Sequence, residues 1–394
     1  MKNHRALLGI VILVCINISA LAQTDKDYKK FTKYINRDRA DKVSTMISKG
    51  KNINSVDVYG RSPLLYSLEK DRLNITEVLL SAGADINITD LQKNGCLHYA
   101  IENCSNTDIV FRLLDLGADI NLDNSDQYTP FHFSVLYKCP DLSFSFIERG
   151  VDYTKSTVEG MGPIHLAAVS GCESLVEHLL ELGLDFDQVD LNGNTPLLLA
   201  LENNRRTISK SLMDNGASFQ VENVSHYTPV YYAVFHNDTT AFDRLLTQDV
   251  EVDIPVKKNT PIIVAANREN TYFVEKLLQN GAKNPMYCNI HDECYNSAFI
   301  YMVNAGIASD EEKQSLYQNS LNIFNLANEK YKSELNKIRA KNTAKVCGEV
   351  CLVMLGGYAV GADYEGERRD YLKNRIAKCE YQIAELERIV NPVE

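Results

Sequence analysis

Three histidines, His98, His132 and His165, stand 34 and 33 residues apart, and so regular a series invites two chemistries. Convergent imidazoles hold a metal ion, or one of them serves as a general base beside a nucleophile. The positions that continue the series include Leu65, Leu198 and Ile263, however, and an aliphatic side chain can do neither. The series is therefore read as structural. Cys288, His291 and Cys294 form a second candidate, spaced three apart, but no second pair of ligands with zinc-site spacing follows them. A local Cys288–Cys294 disulfide in a non-helical linker is the stronger expectation, because six residues of continuous helix rise ~9 Å, beyond disulfide reach. No nucleophile–base pair, phosphate loop or carboxylate dyad stands out elsewhere. The expectation is no enzyme, no cofactor and no metal.

The elements that carry these positions repeat. Leu65, His98, His132, His165, Leu198, Tyr231 and Ile263 are spaced by 33, 34, 33, 33, 33 and 32 residues, and all but His98 follow a small residue and a proline. The pairs are Ser62-Pro63, Thr129-Pro130, Gly162-Pro163, Thr195-Pro196, Thr228-Pro229 and Thr260-Pro261, with Gly95-Cys96 as the degenerate member. A hydroxyl at the N-cap accepts from an orphan backbone N–H, and proline at the first helical position has φ already set. Each pair therefore starts a helix. About fourteen residues after each marker comes an apolar doublet such as Leu79-Leu80 or Leu179-Leu180, then usually a glycine, for example Gly83, Gly117 or Gly183, which ends a second helix. Such a unit is too small to bury its own apolar face and must stack on its neighbours.

The motifs Thr129-Pro130-Phe131-His132, Gly162-Pro163-Ile164-His165-Leu166-Ala167-Ala168 and Gly83-Ala84-Asp85-Ile86-Asn87 resemble ankyrin repeats. Extending the period backwards adds an N-terminal capping unit with Thr32 at the marker and Gly50 at the terminator, making about eight repeats within residues 23–285. His226 and Lys258 stand where the last two repeats should have a turn glycine, so irregular hairpins are expected there. The resemblance implies an all-α solenoid of helix-turn-helix units with β-hairpin loops. It also implies that the histidine bonds within its own repeat and to the next, and that another protein binds the concave face of hairpin tips and first helices. The apolar and aromatic residues at those positions are Tyr59, Tyr128, Leu136, Tyr137, Met161, Val169, Tyr227 and Phe235. The partner is expected across repeats four and five with a second contact on repeat seven. Leu136, Val169 and Phe235 have a second reading, as core under the adjoining repeat.

The chain begins with Lys2, His4 and Arg5, an apolar run from Ala6 to Ile18, and Ala20-Leu21-Ala22 before Gln23. That pattern matches a secretory signal at residues 1–22, with cleavage expected after Ala22, and the run is shorter than the ~20 residues a membrane span needs. Secretion or a periplasmic location is expected. Cleavage takes the net charge from −11 to −13, with 39 basic against 52 acidic residues, a balance that argues against nucleic acid as a partner. It leaves nine cysteines, of which Cys104, Cys139 and Cys172 fall near the inter-helix loops of successive repeats and are read as buried small residues, since packed helices lie ~10 Å apart.

Beyond Pro285 the period stops. Residues 286–308 read as a linker, and 309–394 as two long helices turning near Asp363, with Leu372, Ile376, Cys379, Ile383, Leu386 and Val390 in an a/d heptad pattern. That register sets Cys347 opposite Cys379, either as a disulfide staple or as two core thiols. The apolar stretch 346–362, with Gly357 and Gly361 four apart, is the one place where membrane contact is expected. The leading functional expectation is a protein-binding scaffold outside the cytoplasm, and the alternative is a membrane-associated scaffold anchored through 346–362.

Overall fold

The computed structural model describes residues 26–102, 104, 106–255, 260–283, 291–308, 310–353 and 364–390. Side chains of 291–295, 301, 305, 307, 310, 311, 338–353, 364–369 and 390 are not among those described. The expected signal segment 1–22, Cys288, the side chains of Cys294 and Cys347, and residues 354–363 of the expected membrane stretch thus lie outside it. No described helix is long and apolar enough to cross a membrane.

The chain divides into two compact units, Met1–Ser218 and Phe219–Glu394. In the first, six helix pairs follow one another: α1 (Lys26–Asn36) and α2 (Ala40–Ser48), α3 (Pro63–Glu69) and α4 (Leu73–Ser81), α5 (Cys96–Ile101) and α6 (Thr107–Asp115), α7 (Pro130–Leu136) and α8 (Pro140–Glu148), α9 (Pro163–Ser170) and α10 (Glu173–Glu181), α11 (Pro196–Glu202) and α12 (Arg206–Asp214). The second unit holds two more pairs, α13 (Pro229–Phe235) with α14 (Thr239–Leu245) and α15 (Pro261–Asn267) with α16 (Thr271–Gln279), and then three long helices.

The caps explain where first helices begin. The hydroxyls of Ser62, Thr129, Thr195 and Thr228 accept from the backbone N–H three residues on, at 3.3, 3.3, 3.2 and 3.2 Å. In every second helix after α2 a pair of residues and the one three further on face the core, as with Leu175, Val176 and Leu179 of α10, all of which are fully buried. The doublet is not uniform. Its first member is buried in every repeat, whereas Leu114, Ile147, Leu180, Leu246 and Leu278 are only half-buried.

The hairpin tips are turns rather than paired strands, and no strand occurs among the described residues. Asp57, Asp90, Asn124, Asp190 and Asn223 each close a tip by accepting, at 2.8–3.0 Å, from the N–H four residues on. Successive tips in the first unit share single backbone bonds, Leu91 N–H to Tyr59 O at 2.8 Å and Leu191 N–H to Glu159 O at 2.9 Å among them. The expected irregularity at His226 is not observed. Its φ of +63° matches the +79° of Gly160 in kind, and Tyr227 N–H still bonds Asn223 Oδ1 at 3.0 Å. The side-chain acceptor holds the turn, so the glycine is dispensable. The corresponding residues 256–259 lie outside the described residues.

A second expectation fails in the loops. Cys104 and Cys139 form a disulfide, with Cα atoms 5.5 Å apart, inside the window such a bond requires. Helix-axis separation was the wrong measure, because loops between neighbouring repeats approach more closely than the helices do. Cys172 and Cys96 are buried free thiols.

Residues 291–307, expected as linker, form a helix, α17 (His291–Ile307), ahead of α18 (Asp310–Val353) and α19 (Tyr364–Val390). It buries Ala298, Phe299 and Ile300 and gives the Ala298 carbonyl to Ser320 Oγ of α18 at 2.7 Å. Leu372, Cys379 and Leu386, seven apart, are the fully buried stripe of α19, with Ile376 and Ile383 half-buried beside them. The Cys379 thiol is free and buried, and burial pushes its pKa up to about 12.

Replacing Leu179 by Ala should lower unfolding free energy by ~2–5 kcal/mol, and Leu180→Ala clearly less, in urea titrations of the two variants. Equal losses would mean that the helix face is wrongly assigned.

Candidate protein-binding face

The three histidines bridge rather than catalyse. His98, His132 and His165 are buried, and the Nδ1 of each accepts from its own N-cap N–H, of Gly95, Thr129 and Gly162, at 3.1, 3.0 and 3.2 Å. Nε2 must then carry the proton. It donates across to the carbonyls of Tyr128, Lys155 and Gln188 at 3.0, 3.0 and 2.9 Å, in segments leading into the next repeat. Where the N-cap is glycine and lacks a hydroxyl, the ring's bond to the N-cap N–H is the side-chain contact at the helix start. Burial holds all three below the ordinary histidine pKa, that of His132 at about 4. Among the described residues no group of three His, Cys, Asp or Glu side chains could hold a metal, and burial pushes the Cys96 thiol up to about 12, far from a reactive thiolate.

With caps, doublets and histidines committed to stacking, the tips and the C-terminal ends of the first helices remain free to vary. In the first unit Tyr59, Leu136 and Tyr137 are 55%, 36% and 42% exposed, and Tyr128, Met161 and Val169 are half-buried. The structure joins some of these and separates others. Tyr128 and Tyr137 lie on either side of the half-buried Phe133, with ring centroids 6.0 and 5.9 Å from it, so repeat four presents one aromatic row. Sequence reasoning passed over Phe133. Its signal was the spacing of four to Tyr137, which puts both on one helix face. Three carboxylates border the row: Asp126 and Glu159 raise the Tyr128 pKa after burial, and Glu102 raises that of Tyr137 in the same way. Tyr59 belongs to a different arrangement, in repeat two, where the Arg61 guanidinium lies 5.0 Å from its ring centre while bonding Asp57 at 2.9 Å and reaching Glu69. Val169 contributes its carbonyl to Arg205, whose Nη2 donates at 3.1 Å.

In the second unit Tyr227 and Phe235 bracket a cluster of their own. Tyr227 stacks on Tyr232 at 5.1 Å, Phe235 on Tyr231 at 6.1 Å, and Arg268 sits 4.8 Å over the Phe235 ring, which is 42% exposed. Leu136 and Phe235 are therefore displayed at the surface.

Profiles of the ankyrin repeat family agree with this geometry: the profile described as "Ankyrin repeats (3 copies)" matches residues 97–190, 131–223 and 164–256, and the single "Ankyrin repeat" matches 59–91. These are ankyrin repeats. No curated protein matches the chain. The ankyrin helix pair also continues beyond the matched residues, as α1 and α2 at one end and α15 and α16 at the other.

A neutral buried imidazole in this ankyrin frame has a folded pKa below the ~6.5 of the unfolded chain. Its contribution is complete above pH ~6.5 and is lost as pH falls toward the folded value. For His132 that window runs from about 6.5 to about 4. Urea titrations between pH 7 and 4.5 should show His132→Leu to be less stable at pH 7 but with an acid dependence shallower by ~1.4 kcal/mol per pH unit. An unchanged slope would show that His132 is not held neutral.

Proposed function

We propose that this chain is a non-enzymatic binding module acting outside the cytoplasm, and that its partner is a protein docking on the aromatic row of repeat four and its neighbours in repeat five. Ankyrin repeats are protein-binding modules, and the single observation carrying the finer reading is the Tyr128–Phe133–Tyr137 row. A solenoid frame does not need Tyr137 at 42% exposure, whereas rigid aromatic rings on a pre-organised surface are the composition of binding hot spots. The Tyr227–Phe235 cluster of the second unit is a further contact of the same character. Two observations support action outside the cytoplasm: the apolar leader ending Ala20-Leu21-Ala22, and the Cys104–Cys139 disulfide, a bond that persists in oxidising compartments.

The test is affinity capture from the native envelope fraction with the wild-type chain, Tyr137→Ala and Tyr227→Ala, alongside thermal unfolding of each. Tyr137→Ala should weaken capture by ~2 kcal/mol or more and leave thermal stability nearly unchanged. Undiminished capture by both variants would move the binding site to the C-terminal helices.

A further inference from the structure

Charge is divided unevenly along this chain. Residues 26–51, which form the capping repeat, hold nine basic and three acidic residues, a net charge of +6, while the rest of the chain holds 32 basic and 49 acidic, −17. Much of the positive charge lies on one helix. α1 buries Tyr28, Phe31 and Ile35, and its opposite side carries Lys26, Lys29, Lys30 and Lys33, continued by Arg37 just past its end, all exposed. Eleven residues of helix make this stripe about 16 Å long. None of the five cations has an ion-pair partner among the described residues, and three of the carboxylates nearby pair with other cations: Asp27 with Lys51 at 3.2 Å, Asp41 with Arg39 at 2.8 Å, Asp57 with Arg61 at 2.9 Å. A capping repeat needs a polar outer face, but mixed charges would serve. Like charges four apart, as in Lys26/Lys30, Lys29/Lys33 and Lys33/Arg37, instead weaken the helix that carries them. Solubility alone does not account for the stripe.

We propose that the stripe docks the capping repeat on an anionic lipid surface. Four of the five cations are lysines, compact point charges suited to a diffuse field of headgroups, whereas bidentate recognition of a particular carboxylate or phosphate favours arginine. The one aromatic ring on α1 outside its buried face, Tyr34, is half-buried, short of the row of exposed rings on which single-stranded nucleic acid stacks. The acidic remainder of the chain is repelled by the same surface, which leaves α1 as the point of approach. Each lysine near an anionic bilayer strengthens attachment roughly 5-fold.

Co-sedimentation of the protein with vesicles of phosphatidylcholine alone and of phosphatidylcholine with 30% phosphatidylglycerol tests this, the neutral vesicles reporting any attachment that does not depend on lipid charge. The wild type should bind the anionic vesicles at least about 10-fold more tightly, and the preference should disappear in 0.5 M salt and in the triple variant K29E/K30E/K33E. A control, K93E/K138E/K283E, makes the same change in net charge at exposed sites off the stripe and should keep most of the preference. Thermal unfolding checks that both variants fold. The proposal is overturned if wild type shows no anionic preference, if the two triple variants behave alike, or if the stripe retains heparin while ignoring the vesicles.

Discussion

A histidine Nε2–H reaching a carbonyl of the segment that leads into the next repeat is the contact on which the middle of the first unit depends. It joins the two scales of the fold. On the short scale the same ring accepts at Nδ1 from the N-cap of its own helix and ties that helix start to the turn before it. On the long scale it holds repeat three to four, four to five and five to six. One tautomer satisfies both bonds only while the ring stays neutral, and burial keeps it neutral. Repeats two and six have Leu65 and Leu198 there, with hydroxyl caps from Ser62 and Thr195, so they keep the helix start and give up the bridge.

This economy leaves side chains over for display. Once cap, turn acceptor, histidine and buried doublet are spent on stacking, the tips and the last turns of the first helices have no structural duty, and aromatic rings have collected there in repeats four and seven. The two clusters differ in company. Carboxylates border the Tyr128–Phe133–Tyr137 row, whereas Arg268 lies over the Tyr227–Phe235 group. The capping repeat carries positive charge, so one chain offers surfaces of distinct character on one repeated frame.

Much of the repeat architecture was legible in the sequence because its signals are local. Thr-Pro and Ser-Pro pairs start helices by a short-range mechanism, and they do so at the places where the period puts them. What escaped was tertiary. The approach of Cys104 to Cys139 depends on loop geometry that spacing does not encode, and α17 has no proline or cap motif to announce it and shows itself by what it packs on. His226 misled because glycine was taken as the requirement of the turn, when the requirement was the Asn223 side chain. In the candidate site, Tyr137 was legible as an exposed ring at a variable position, while Phe133 was not, since an aromatic residue within a first helix reads as core.

The central claim, that neutral imidazoles bridge successive repeats, is tested most directly by NMR of histidine ring nitrogens in the folded protein at pH 6. The account predicts that the neutral rings of His98, His132 and His165 carry their proton on Nε2, with His132 neutral down to about pH 4. An imidazolium signal from His132 at pH 6, or a neutral ring among the three with its proton on Nδ1, would contradict it.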